Sequence, residues 1–192
     1  REHKQVLELN FDQLKELKKY SEEKNLIFFS TPFDLKSLES LEKLDLEIYK
    51  ISSFHVTDLK LVEAVASKKK PVIMSTGMST LEEIDKAVKI LNDYNTNYLI
   101  MHCVSSYPAK PKDLNLRAIN VLRSRYKCLV GYSGHETSAN IAPSVVLYKA
   151  CAIERHFTLD RAMKGPDHAL SLAPGGMDIL VKRSKSIFDA RG

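Results

Sequence analysis

The amino-acid sequence predicts an α/β fold, a (β/α)8 TIM barrel of which the chain holds about six strand-helix units, strands 3 to 8. Three observations carry that expectation. Short apolar runs recur about 21 to 30 residues apart and alternate with segments of helical periodicity. Polar residues follow every run, as at the C-terminal face of a barrel, where several strand ends build one site. No G-x-G-x-x-G follows the first run, as an open doubly wound sheet would require.

Taken in order, Phe11, Leu14, Leu17 and Tyr20 recur every third position over 11–24 and predict an amphipathic helix. Leu26-Ile27-Phe28-Phe29 predicts a buried strand that ends in Ser30 and Thr31. Leu38, Leu41 and Leu44 mark a short helix, Ile48 to Ile51 a strand ending in Ser52-Ser53, and Leu59, Val62 and Val65 another helix. The next strand, Pro71 to Met74, ends in Ser75-Thr76-Gly77. Leu81, Ile84, Val88 and Leu91 then share one helix face, started by a capping box of Thr80 and Glu83. Tyr98 to Met101 is a strand running into His102-Cys103. Leu116, Ile119 and Leu122 suggest a helix, Cys128 to Val130 a strand leading into Gly131-Tyr132-Ser133-Gly134-His135. A helix over 139–149, a strand over 150–155 and a helix over 176–188 complete the pattern.

With 192 residues, 44% hydrophobic and 28% charged, the chain has the make-up of one globular domain. The net charge of +5 favours an anionic ligand, but no basic stripe interleaved with aromatics points to nucleic acid, and Lys68-Lys69-Lys70 reads as a helix end. Three cysteines, Cys103, Cys128 and Cys151, without C-x-x-C spacing suit reduced thiols in a cytoplasmic protein. No apolar stretch reaches the length of a membrane span. The absence of an initiator Met and the opening on a helix suggest a fragment whose missing units precede Arg1.

Ser30, Thr31, Lys50, Ser52, Ser53, Ser75, Thr76, Ser105, Ser106 and Ser133 all fall near predicted strand ends. Hydroxyls, backbone N–H groups and one ammonium converging there suit a phosphate, although any one Ser or Thr equally serves as a turn or cap residue. Lys50, between Tyr49 and Ile51 in a buried strand, requires an anionic partner or a watery cavity. His135 and His156 lie at the ends of neighbouring strands and could share a divalent metal, leaving coordination positions for substrate and water. Glu154, on the same strand face as His156, would orient that ring. His102 reads as a hydrogen-bonded core residue. Nothing in the sequence specially favours a Cys103 thiolate. The loop from Lys164 to His168 could fold over the mouth and present Asp167 to substrate hydroxyls, or be a plain turn.

The ordered set Phe29 to Asp34, Lys50 to Ser53, Met74 to Ser79, His102 to Pro108, Gly131 to His135, Glu154 to Thr158 and Gly165 to His168 resembles the N-acetylneuraminate (sialic acid) synthase family, which includes legionaminic and pseudaminic acid synthases and spore-coat polysaccharide synthases. The resemblance covers nearly the whole chain. It implies a transferase that condenses phosphoenolpyruvate with N-acetylmannosamine or a related amino sugar, giving a sialic-type acid and phosphate. It further implies a divalent metal (Mn, Mg or Co) on His135 and His156, and phosphoenolpyruvate held by Thr31, Lys50, Ser53, Ser75, Ser105 and Ser133. Tyr107 and Asp167 would lie against the sugar. Lys50, His135 and His156 are the expected catalytic residues, and the parent protein is expected to be a homodimer.

His55 stands where many members have an acidic residue, and Ser105 where some have Asn. A catalytic glutamate and a lysine from the family's first two strands, and an arginine from a C-terminal antifreeze-like domain of the partner subunit, have no counterparts in the chain. The isolated chain is therefore expected to be inactive. Two other readings stay open: a metal-assisted aldolase or hydrolase on a sugar phosphate, and a non-catalytic phosphosugar-binding barrel.

Overall fold

The computed structural model describes residues 8–192. Five strands, β1 (Tyr49–Ile51), β2 (Val72–Ser75), β3 (Tyr98–Cys103), β4 (Leu129–Gly134) and β5 (Ile153–Arg155), form one parallel sheet whose spatial order is the chain order. Helices α1 (Phe11–Glu23) and α2 (Leu35–Glu42) precede β1, α3 (Leu59–Ala66), α4 (Leu81–Asp93) and α5 (Ala118–Tyr126) run between the strands, and α6 (Pro174–Ala190) follows β5. A twisted sheet in which each strand neighbours the next curls upon itself. The result is an open portion of a (β/α)8 barrel.

Side chains alternate across this sheet. Tyr49, Ile51, Val72, Met74, Ile100, Val130 and Tyr132 point into the layer beneath the helices and are buried with Leu61, Ile84, Leu91 and Ile119. The intervening positions, Lys50, Ser75, Cys103, Ser133 and Glu154, therefore face the barrel interior. Helix starts follow from local chemistry. The Thr80 and Glu83 box is present, with Thr80 N donating to Glu83 Oε2 at 2.8 Å and Glu83 N to Thr80 Oγ1 at 3.3 Å. Asn10 with Gln13 and Asp34 with Ser37 make two more boxes. The lysine run begins just past the C-cap of α3, and Lys68 and Lys70 pair with Glu42 and Asp45.

Three expectations are corrected. The run Leu26 to Phe29 is not a buried strand: only Ser30 bridges Tyr49, and Leu26 and Ile27 are 63% and 57% exposed. Among the described residues it has a sheet neighbour on one side alone, so neither ladder nor packing layer closes over it. For the same reason the stripe of α1 stays largely uncovered, only Leu14 packing against the core. The α-helix expected over 139–149 is a 3₁₀ segment, Ala142–Tyr148, with Pro143 near its start. It lies in the shortest crossover of the sheet, where the greater rise per residue of a 3₁₀ helix spans the distance.

Candidate functional site

Lys50 is the centre of the first group. It is 6% exposed, and its Nζ donates to Ser75 Oγ at 2.6 Å and to the Ile51 carbonyl at 3.2 Å. Glu154 Oε2 lies 3.6 Å away, a charge contact rather than a hydrogen bond, while Glu154 Oε1 accepts from Ser133 Oγ at 2.7 Å. Burial pulls the Lys50 pKa below the ordinary lysine range, against the opposing pull of Glu154 and Cys103. The expectation that Glu154 orients His156 is thereby corrected. Ser133 is its register partner on β4, so the carboxylate reaches across the strands to Ser133 and Lys50 instead.

Gly77 joins a second group. Its N–H donates to Ser53 Oγ at 2.9 Å. A Cβ there would collide with Ser105 Oγ and lie 3.0 Å from Ser53 Oγ and 3.2 Å from Cys103 Sγ, so a glycine lets these three polar side chains converge. Thr31 follows the Ser30 bridge to β1, but no hydrogen bond or ion pair among the described residues ties its side chain to this cluster. Thr76 donates to the Met101 carbonyl at 3.0 Å and is structural. His55, buried, contacts Ser52 Oγ through Nδ1 at 2.8 Å and packs edge-on against Phe33 and Phe54.

His135 and His156 are the first residues beyond β4 and β5, and their ring centroids are 5.2 Å apart. Val104's carbonyl meets His135 Nδ1 at 2.8 Å, which commits the proton to that nitrogen and leaves Nε2 as a lone-pair donor. Asp167 Oδ2 lies 3.7 Å from His156 Nδ1. The loop from Lys164 to His168 thus turns back onto the site, held by His168 on Thr158 Oγ1 at 2.7 Å. Tyr107 stacks on His135 at a centroid distance of 4.1 Å and meets His156 edge-on at 5.8 Å. Burial raises its phenol pKa, so it remains a donor.

The two imidazoles differ electrically. Burial depresses both, but Cys103 and the Val104 carbonyl outweigh it at His135, whose pKa is raised; His135 in turn adds to the lowering at His156. Burial also opposes the Cys103 thiolate, yet contact with His135 Nδ1 at 3.8 Å and with Ser53 and Ser133 brings that thiol below its ordinary pKa. The sequence had offered no support for such a thiolate. His102 is, as read, a core residue, its Nε2 meeting the Leu114 carbonyl at 2.7 Å.

Two imidazoles bound to one ion at about 2.1 Å each hold their ring centres roughly 4.5 to 5.5 Å apart, which the observed separation matches. No third His, Cys, Asp or Glu completes a ligand cluster with them among the described residues. Other coordination positions would fall to water or substrate oxygens.

The sequence model of the NeuB family matches residues 1–192. The chain belongs to the NeuB family. It is 40% identical to the N,N'-diacetyllegionaminic acid synthase of Campylobacter jejuni over 98% of this chain and 57% of that protein. It is 35% identical to the human N-acetylneuraminate-9-phosphate synthase over 100% of this chain and 54% of that protein. The crystal structure of an N-acetylneuraminic acid synthetase from Leptospira borgpetersenii superposes with a TM-score of 0.94 at 37% identity, covering 96% of this chain and 65% of that one. This NeuB-family chain thus spans about half the length of the first two relatives. No described helix is long and apolar enough to cross a membrane.

Proposed function

We propose that the chain carries much of the active site of an enzyme that condenses phosphoenolpyruvate with N-acetylmannosamine or a related amino sugar to a nonulosonic acid and phosphate. The observation that carries this reading is the buried ammonium of Lys50, bonded to Ser75 on the inner face of a sheet whose C-terminal ends also carry His135 and His156 with ring centres 5.2 Å apart. The family membership supports it.

In this reading Lys50, with the hydroxyls of Thr31, Ser53, Ser75, Ser105 and Ser133, holds the phosphate and carboxylate of phosphoenolpyruvate, compensating their charge. Tyr107 and Asp167 position the amino sugar so that its aldehyde carbon faces C3 of phosphoenolpyruvate. The C3–aldehyde bond forms, water adds at C2, and the C2–O bond to phosphate breaks as inorganic phosphate leaves. His135 and His156 would hold a divalent metal (Mn, Mg or Co), which when bound supplies a Lewis acid for the aldehyde oxygen. The strand ends described form one side of a mouth, so the chain by itself is expected to give no turnover. The protein works as a homodimer in the cytoplasm.

The test uses the enzyme that carries this chain. Phosphate is expected from phosphoenolpyruvate only when the amino sugar is also supplied, and the chain by itself should release none. Release without sugar, or cleavage of a sugar phosphate instead, would sink the reading. For the metal, Mn²⁺ binding heat should vanish in the His135→Ala, His156→Ala double variant.

A further inference from the structure

Resting on the reading that His135 and His156 share one ion, we infer that Arg155 and Glu136 form a clamp behind the sheet that sets the separation of the two imidazoles. Neither residue reaches the barrel interior. Strand alternation puts Arg155 on the outer face, directly before one histidine, and Glu136, directly after the other, meets it and Tyr132 there.

Their geometry is that of a clasp. Arg155 Nη1 donates to Glu136 Oε1 at 3.0 Å and to the Ser138 carbonyl at 3.2 Å, and Nη2 donates to the backbone carbonyl of Glu136 itself. Tyr132 OH donates to Glu136 Oε2 at 2.9 Å. Burial and the adjacent carboxylate raise the Tyr132 pKa, which keeps that proton in place. The two ionic side chains are 0% and 2% exposed.

The location gives the clasp its purpose. Register pairing between β4 and β5 ends at Gly134 and Arg155. One residue further, His135 and His156 have left the ladder. Their backbones are held separately, His135 O accepting from Ala109 N at 3.0 Å and His156 O from Leu172 N at 2.8 Å. The guanidinium, bound to both the side chain and the main chain of Glu136, spans the gap where the ladder stops. A planar fork with fixed donor angles transmits position in a way that a point charge cannot.

Two features argue against a role confined to stability. A buried ion pair contributes little net stability against a well-packed apolar replacement. Arg155 Nε is, moreover, buried without a hydrogen-bond partner among the described residues, so the pair is not even fully satisfied. Space has been left for it all the same: a Cβ at Gly134 would lie 2.5 Å from Glu136 Oε2 and 2.6 Å from the Tyr132 ring.

The test is titration of Mn²⁺ into the folded protein, by calorimetry or by the loss of the free-ion resonance signal, in parallel with melting temperatures. Arg155→Lys keeps the charge and removes the fork; it is expected to weaken Mn²⁺ binding about 10- to 100-fold, the range for residues that orient metal ligands. Glu136→Gln keeps the shape and one acceptor oxygen for the guanidinium, with the Tyr132 hydroxyl able to accept from the new amide, and should weaken it less. A lowered melting temperature with unchanged Mn²⁺ affinity in both variants, while the His135→Ala, His156→Ala variant abolishes binding, would overturn the clamp and leave the metal site standing. Binding that is absent from the parent protein, or that survives loss of both histidines, would overturn the metal reading and the clamp with it. Failure of both Arg155→Lys and Glu136→Gln to fold would make the pair a fold determinant and overturn its positioning role.

Discussion

Glu154 and Arg155 are neighbours on β5, and each takes part in an ion pair, but the two pairs differ in kind. On the inner face Glu154 sits 3.6 Å from Lys50, and its side chain is 41% exposed. On the outer face Arg155 meets Glu136 at 3.0 Å with both side chains out of solvent. The inner pair is loose because its place is shared: Lys50 also serves Ser75, and Glu154 also serves Ser133. A pair of that sort can exchange partners with an incoming anion at small cost. The outer pair has nothing to exchange with, so any change to it falls on the fold and on whatever the fold positions.

Substitutions should therefore separate the two. The largest effect is expected for Arg155→Met, which strands the buried Glu136 carboxylate and should cost about 3–5 kcal/mol by chemical denaturation. Lys50→Met removes the charge of a buried ammonium and leaves Glu154 open to water. It should stabilise the chain by about 1 kcal/mol, roughly 2–4 °C in melting temperature, while abolishing phosphoenolpyruvate binding. Equal destabilisation by both would erase the distinction.

Between these two in size is Gly134→Ala. Its Cβ would press on Glu136 and Tyr132, so overpacking of about 1–3 kcal/mol is expected, read from the same denaturation curves. A neutral result would mean that the outer pair is as adjustable as the inner one.

The smallest effect is a pH dependence. The folded-state pKa of Lys50 lies below the unfolded value of 10.5, so as pH rises the folded chain releases that proton before the unfolded chain does. The penalty for burying the ammonium is complete below the folded pKa and relieved as pH climbs from there towards 10.5. The contribution to stability from this residue accordingly increases across that window. Comparing melting temperatures of the parent and Lys50→Met across that alkaline range should show the gap between them narrowing.

Much of this arrangement was legible in the sequence, and what was not has physical reasons. The strand-helix repeat, the Thr80 cap, the buried charge of Lys50 and the pairing of His135 with His156 all rest on local periodicity or on one residue in an unfavourable setting. The partner of Glu154 was misread because alternation along a strand gives the face and not the neighbour; the neighbour came from register, through Ser133 on β4. The run at Leu26 had the composition of a core strand, but burial depends on what lies alongside it. Glu136 and Arg155 each stand beside a histidine in the sequence, and only the folded sheet shows that they meet.

Strand order has one further consequence. Each strand pairs with its successor in the chain, at separations between those of Tyr132 with Ile153 and Leu99 with Leu129. Every strand addition during folding thus closes a loop of similar length, and closure entropy changes only slowly with that length. Assembly requires no strand to wait for a distant partner, as strands in a β-sandwich must. The sheet can grow from a central pair towards either edge, and the histidine-bearing strand ends come together in the one step that adds β5 to β4.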